Sequence, residues 1–357
     1  MKICLIADAT SVHTQRWAQY FAQQGDEIHL ITYEPSILDY SGVNVHIVGS
    51  RFKNLYLSFI PRHLKIYLLV KRLKPDLVHA HFISKFGFHA AFLGFSPVVM
   101  SAWGDDILII PHWSRLLWYF TKISLKRANL IYAASEDIRN HICSMFDISD
   151  SKVKINTHGV DTSLYHPFSQ KRIEDKIIVV SNRNFYPVYS LETLIQSIPL
   201  VLSQNKNIYL LLIGEGPEEK KLMDMVEGLN LSSNIQFIGW VDSQKMPYYL
   251  NLADIYVSTA ISDGTPVSML EAMACGLPCI MTDVGGVHEW IEDGVTGNLV
   301  SPKSPEEISF CILDLAASAT KRKCLGENAR GLILKKANKS DIMASVVTDY
   351  NSLLCRR

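Results

Sequence analysis

Short apolar runs alternate along this chain with longer stretches whose apolar residues return at helical spacing. That alternation predicts parallel βαβ units almost throughout. In the first half the predicted strands are 2–7, 27–32, 43–48, 76–80, 97–101 and 129–133. The second half restarts the same grammar near 176–181, 208–213, 235–238, 254–257, 277–281 and 297–300. The first helix is predicted to begin near Thr14, with Trp17, Tyr20 and Phe21 on helical spacing. The uncharged stretch from Phe86 to Trp103 contains His89, Gly87, Gly94 and Ser96-Pro97, so it reads as a buried helix and a strand rather than a membrane span. The tail from Ser340 to Leu354 is predicted as an amphipathic helix, and no 20–50-residue repeat is present.

At 357 residues the chain is too long for one ordinary core, which predicts two domains, 1–168 and 169–339, with a terminal helix over 340–357. The expected linker is 156–168. An apolar share of 48% against 20% charged residues excludes a disordered chain. Net charge is zero, but residues 1–168 hold 17 Lys+Arg against 13 Asp+Glu, and the rest is acidic by the same margin. The seven cysteines are scattered without a CxxC pair, which predicts free, mostly buried thiols and a cytoplasmic, reducing setting. The N-terminus begins directly as a strand and does not read as a signal peptide.

The richest chemistry lies in 262–300. Thr265 is the expected N-cap of a helix and Pro266 its first residue. The amides of Val267, Ser268 and Met269 would then face an anion above the helix, and a diphosphate fits. Asp263 lies just before this helix. Glu271 lies inside the apolar run Met269 to Ala274, where a carboxylate is costly unless hydrogen-bonded, and sugar hydroxyls would serve. The plainer reading of the same residues is a capped helix with Glu271 at the core margin.

This segment resembles the donor-binding signature of retaining family-4 glycosyltransferases of the GT-B fold. That signature has two Glu residues separated by seven others, then Ala-Met-Ala-x-Gly-x-Pro and a Gly-Gly turn. Here the second Glu is Glu271 and the first is replaced by Asp263. The resemblance implies two Rossmann-like, doubly wound α/β domains facing across a cleft, with the C-terminal helix crossing back to the N-terminal domain. It also implies a nucleotide-diphosphate sugar donor, no cofactor and no metal. In that reading Glu271 takes the ribose hydroxyls, and Asp263 holds hydroxyls of the transferred sugar. Arg183 and the segment Gly264, Thr265, Pro266, Val267, Ser268 neutralise the diphosphate. The loops carrying Gly214 and then Gly239, Trp240 and Val241 resemble those that frame base and ribose. The family's Lys five positions after Arg183 is Val188 here, a departure. Gly285-Gly286 permits close backbone approach, either to the donor sugar or to a neighbouring helix.

In the first half, the loop from Asp8 to Trp17 has no glycine, which removes a G-x-G-x-x-G dinucleotide site. His13, in that loop, either faces the cleft or makes local hydrogen bonds at the helix start. His79 and His81 end one predicted strand, and Ser101 to Asp106 ends the next. Trp103 stands where relatives often carry a His, and that role falls to Asp105, His81 or no residue. Asp105 and Asp106 read as a cap or a solvated pair rather than a metal site.

Residues 51–74 carry seven Lys+Arg and no Asp or Glu among aromatic and aliphatic neighbours, and 113–127 repeats the theme. Such surfaces suit an anionic membrane face, or else the apolar residues pack inward and the charges are solvated. Nucleic acid is not an expected partner. The expected activity is transfer from a UDP-sugar to a glycan or lipid-linked acceptor in cell-surface polysaccharide synthesis. The alternatives are a sugar-nucleotide epimerase or hydrolase, and an inactive GT-B partner subunit.

Overall fold

The computed structural model describes residues 1–50, 55–157, 159–168 and 176–355. The chain divides into two compact units, Met1–Asn156 with the segment from Ala344 onward, and Thr157–Met343.

The first unit is built on β1 (Lys2–Ile6), β2 (Glu27–Thr32), β3 (Val43–Ile47), β4 (Leu77–His81), β5 (Val98–Ala102), β6 (Leu130–Ala133) and β7 (Val153–Ile155). They form a parallel sheet in the order β3-β2-β1-β4-β5-β6-β7. Both β4 and β5 are buried at every position, as central parallel strands with two covered faces must be. Strand β7 has no counterpart among the predicted strands. It is three residues long with only Val153 buried, so it carries no periodicity and is defined by pairing with β6.

One face of this sheet is covered by the Leu55–Leu73 helix through Ile66 and Val70, and by Phe86, Leu125 and Phe146. On the other, Trp17 and Phe21 of the Val12–Gln23 helix are buried, and Phe21 stacks on Tyr350 of the final helix, Lys339–Cys355. The helix predicted within 86–103 starts earlier, as a π-helical turn over Phe82–Gly87 continued by Phe88–Ala91. The buried Asp106 carboxylate draws it there by accepting from Ile83 N at 2.7 Å.

The second unit repeats the arrangement with β8 (Ile177–Ser181), β9 (Ile208–Ile213), β10 (Ile235–Gly239), β11 (Ile255–Ser258), β12 (Cys279–Thr282) and β13 (Asn298–Val300). Its order is β10-β9-β8-β11-β12-β13, all parallel. In both units the first strand lies beside the fourth, which makes a topological switch point where ligands of doubly wound sheets bind at the carboxyl edge.

The boundary falls at the start of the predicted linker, not at 168. Val160 bridges to Asn338, and Tyr165 is buried with its hydroxyl donating to Ser243 O at 3.2 Å, so 159–168 is structure rather than tether. His158 lies outside the described residues. All seven cysteines are free, but only Cys4, Cys275 and Cys279 are buried; Cys324 and Cys355 are exposed because they sit on the outer faces of helices.

Candidate functional site

Three of the predicted donor residues, Arg183, Asp263 and Ser268, meet at the switch point of the second unit. Arg183 follows β8 and is 8% exposed. Its Nη1 donates to Ser268 Oγ at 2.8 Å, its Nη2 donates to Asp263 Oδ2, and its guanidinium lies 4.0 Å from the Tyr189 ring centroid. Burial works against the charge, but the Asp263 carboxylate more than offsets it and raises the Arg183 pKa above its ordinary value. The hydroxyl of Tyr256, in β11, donates to Ser268 Oγ at 2.9 Å. Burial raises the Tyr256 phenol, so it stays protonated and keeps donating.

Several buried polar atoms here have no partner within the protein: Arg183 Nε, Ser181 Oγ, Asn182 Oδ1 and Ser258 Oγ. Three follow or end β8 and one ends β11. Native interiors rarely leave such groups unpaired, so they mark a place for a polar ligand or ordered water.

The helix after β11 runs Val267–Ala274, with Pro266 at the N-cap and no side-chain cap. This corrects the expectation that Thr265 caps and Pro266 opens the helix. Pro266 has ψ 111°, outside the helical range, which moves the start one residue on. The amides of Val267, Ser268 and Met269 still lack a carbonyl one turn back, as at any helix start. Glu271 is buried on this helix, among Met269, Leu270, Ala272, Met273 and Ala274, which are fully buried.

The Gly285-Gly286 turn makes its close approach to the backbone of the Asp263–Gly264 loop. A Cβ on Gly285 would stand 1.8 Å from Asp263 O, and Gly286 N donates to Gly264 O at 2.9 Å. The pair therefore clamps the loop that holds Asp263. Gly214 does similar work, since a Cβ there would meet Arg183 O at 2.9 Å. Its N–H donates to Gly239 O at 2.9 Å, tying the ends of β9 and β10. Trp240 beyond it is half exposed, while Val241 packs partly against the core. Val188 sits in the one-turn helix Pro187–Tyr189, its carbonyl accepting from Ile261 N at 2.9 Å, so it braces the 261–263 loop.

In the first unit, His81 ends β4 beside Thr14 Oγ1 at 3.5 Å, with Trp103 5.0 Å away between ring centroids. His13 lies in the first turn of its helix with its ring edge-on to Trp103. His79 is a core residue: Nδ1 pairs with Tyr350 Oη at 2.6 Å and Nε2 with Ser101 Oγ at 2.8 Å. Asp105 is exposed, whereas Asp106 is fully buried and accepts from Trp103 N and Gly104 N as well as Ile83 N. The two aspartates are therefore not a solvated pair; Asp106 ties the ends of β4 and β5 together, and burial raises its pKa to about 6.

Tyr189 and Tyr256 are the residues that sequence reasoning missed. A tyrosine inside a central apolar strand is a usable signal, because its hydroxyl needs a partner when buried. Among the described residues, no group of three His, Cys, Asp or Glu stands close enough to hold a metal, and no helix is long and apolar enough to cross a membrane.

Two family models match this chain. The one described as Glycosyl transferases group 1 covers residues 165–332, and Glycosyl transferase 4-like covers residues 2–135. An uncharacterised glycosyltransferase of Methanocaldococcus jannaschii is 23% identical over 97% of this chain and 94% of its own length. N-acetyl-alpha-D-glucosaminyl L-malate synthase of Bacillus anthracis is 24% identical, over 93% and 91%. Among solved structures, Anabaena HepE in complex with UDP and glucose shares the fold, with a TM-score of 0.84 at 18% identity, covering 99% of this chain and 100% of that one.

Proposed function

Because the chain belongs to the glycosyl transferases of group 1 and family-4 type, with the GT-B fold, we propose that it moves a sugar with retention from a UDP-sugar to a glycan or glycolipid acceptor. The observation that carries this reading is Arg183, a buried cation held beside a helix N-terminus with its Nε unpaired. A fixed cation and oriented amides stabilise the charge that develops on a leaving diphosphate, at no cost of reorganisation. Two of the similar proteins support the choice: one is named N-acetyl-alpha-D-glucosaminyl L-malate synthase, and the other was solved with UDP and glucose.

In this account the diphosphate enters between Arg183 and the amides of Val267 and Ser268. It takes over as counter-charge to Arg183 and releases Asp263 toward the hydroxyls of the transferred sugar. Glu271 accepts from the ribose. His81 and Asp105 are assigned to the acceptor side by their place at the strand ends of the first unit. The expected setting is cell-surface polysaccharide synthesis in the cytoplasm.

The test is a screen of UDP-sugars against glycan and lipid-linked acceptors, with products followed by mass spectrometry and the anomeric configuration read by NMR. An α-linked product from an α-linked donor supports retention. Free sugar or an epimerised nucleotide sugar with every acceptor would replace transfer with hydrolysis or epimerisation.

A further inference from the structure

A cavity of about 640 Å³ opens at the amino edge of the second sheet, the edge opposite Arg183 and Asp263. Its floor is apolar, made by Leu250, Ala253, Cys275 and Leu277 beside the starts of β11 and β12. One wall is the Ala319–Lys336 helix, which contributes Arg322, Lys323 and Arg330. Exposed Phe168 stands beside them. Small-molecule sites have volumes of about 300–1,000 Å³ and the same mixture of apolar lining with a few placed charges.

Both arginines are fixed chiefly by backbone carbonyls. Arg322 Nη1 donates to Leu315 O at 2.7 Å and Ala316 O at 3.0 Å, in the last turn of the Pro305–Ala317 helix. Arg330 Nη1 donates to Ala274 O, at the end of the Val267–Ala274 helix, and to Tyr165 O at 3.5 Å. That helix carries Ser268 at its other end, so one element joins the two edges of the sheet. Among the described residues, Arg322 Nη2 and the Nε and Nη2 of Arg330 have no hydrogen-bond partner, and none of these atoms is enclosed.

The carboxylates that line the cavity do not neutralise this wall. Asp254 Oδ2 accepts from Ile178 N at 3.0 Å, and its Oδ1 stands 3.9 Å from Arg322 Nε. Glu327 pairs with Lys323 at 3.8 Å, but both are exposed and such a pair is worth little. Arg330 has no carboxylate partner among the described residues. A half-buried guanidinium is thus held in place with donors to spare, the arrangement that takes an oxyanion at two points.

We infer that this cavity binds a small phosphate monoester. Its phosphate takes the free nitrogens of Arg330 and Arg322, with Lys323 at the entrance, and its organic body covers the apolar floor beside Phe168. The inference does not rest on the donor reading, because Arg183 lies outside the cavity.

The experiment is titration calorimetry of the full chain with phenyl phosphate and with inorganic phosphate, in the absence of nucleotide. Phenyl phosphate should bind about tenfold or more tightly than inorganic phosphate, because its ring covers the apolar floor. Lys323→Glu, at an exposed position, should weaken phenyl phosphate binding about tenfold by reversing one charge at the entrance. Ala319→Trp, also at an exposed position on the cavity wall, should abolish binding while leaving the thermal unfolding midpoint unchanged. Arg183→Ala should bind phenyl phosphate as wild type does, whatever becomes of its UDP affinity. No binding by wild type, binding unaltered in both cavity variants, or binding lost in Arg183→Ala each overturns the inference. So does equal affinity for inorganic phosphate, since the apolar floor would then contribute nothing.

Discussion

Replacing Asp263 with Asn separates the two tasks assigned to that residue. Without ligand, its carboxylate is the counter-ion of Arg183, a residue only 8% exposed. Breaking a buried pair costs about 3–5 kcal/mol, because a charge is left uncompensated. Here the loss should be smaller, about 2 kcal/mol, since the Asp263 side chain keeps 16% of its exposure and the amide oxygen still accepts one hydrogen bond. For a unit of this size that lowers the unfolding midpoint by about 4–8 °C.

Nucleotide binding should move the other way. A carboxylate and one phosphate charge about 6 Å apart repel by about 2.8 kcal/mol at an effective dielectric near 20, and by half that when partly solvated. UDP should therefore bind Asp263→Asn about tenfold more tightly, and saturating UDP should recover most of the lost midpoint. Transfer should nonetheless fall, in kcat, because the amide is a poorer acceptor for sugar hydroxyls. Scanning calorimetry with and without UDP, titration calorimetry and steady-state kinetics read the three effects. An unchanged midpoint together with weaker UDP binding would mean that Asp263 neither neutralises Arg183 nor yields it to the diphosphate.

Tyr256→Phe removes one neutral hydrogen bond, worth about 1 kcal/mol, from the chain that fixes Ser268 and Arg183. UDP binding should weaken about fivefold, and a lower midpoint with unaltered UDP affinity would make Tyr256 merely structural. Gly285→Ala forces a methyl to within 1.8 Å of Asp263 O at φ +51° and should cost about 3 kcal/mol or more with loss of UDP binding. Gly294→Ala, at φ +72° with open space around it, should cost about 1 kcal/mol, and equal effects would discount the clamp. Burial pushes the His79 pKa down to about 3. A depressed folded-state value means that its contribution is present above about pH 6.5 and lost as pH falls toward 3, at about 1.4 kcal/mol per pH unit. His79→Gln should flatten the stability profile between pH 6.5 and 4.5 in urea titrations, and an unchanged slope would count against this assignment.

The central strands were legible because parallel strands covered on both faces read as unbroken apolar runs; β4, β5, β8 and β11 all fall within one residue of their predicted starts. Strand β7 was not, because an edge strand with Lys154 and Ile155 exposed carries no pattern of its own. Arg183, Asp263, Ser268 and Glu271 were legible as residues, but the ion pair between the first two was not. It depends on the Gly285 clamp and the Gly214 contact, which bring segments eighty residues apart into register. The outward face of the Leu55–Leu73 helix was visible only as a basic, aromatic stretch, since the sequence cannot say which of two apolar stripes the sheet will bury.

The proposed donor site turns on Arg183, and its test is titration calorimetry of wild type and Arg183→Ala with UDP, GDP and ADP. It predicts micromolar binding of UDP to wild type, weaker binding of the other two, and a loss in the variant of about 10-fold or more, the worth of one charge-assisted contact. Binding of UDP that survives in Arg183→Ala would contradict the site. Absence of binding by any of the three nucleotides would contradict the activity and leave a non-catalytic partner subunit, with Val188, Asp263 and Trp103 as the substitutions that made it so.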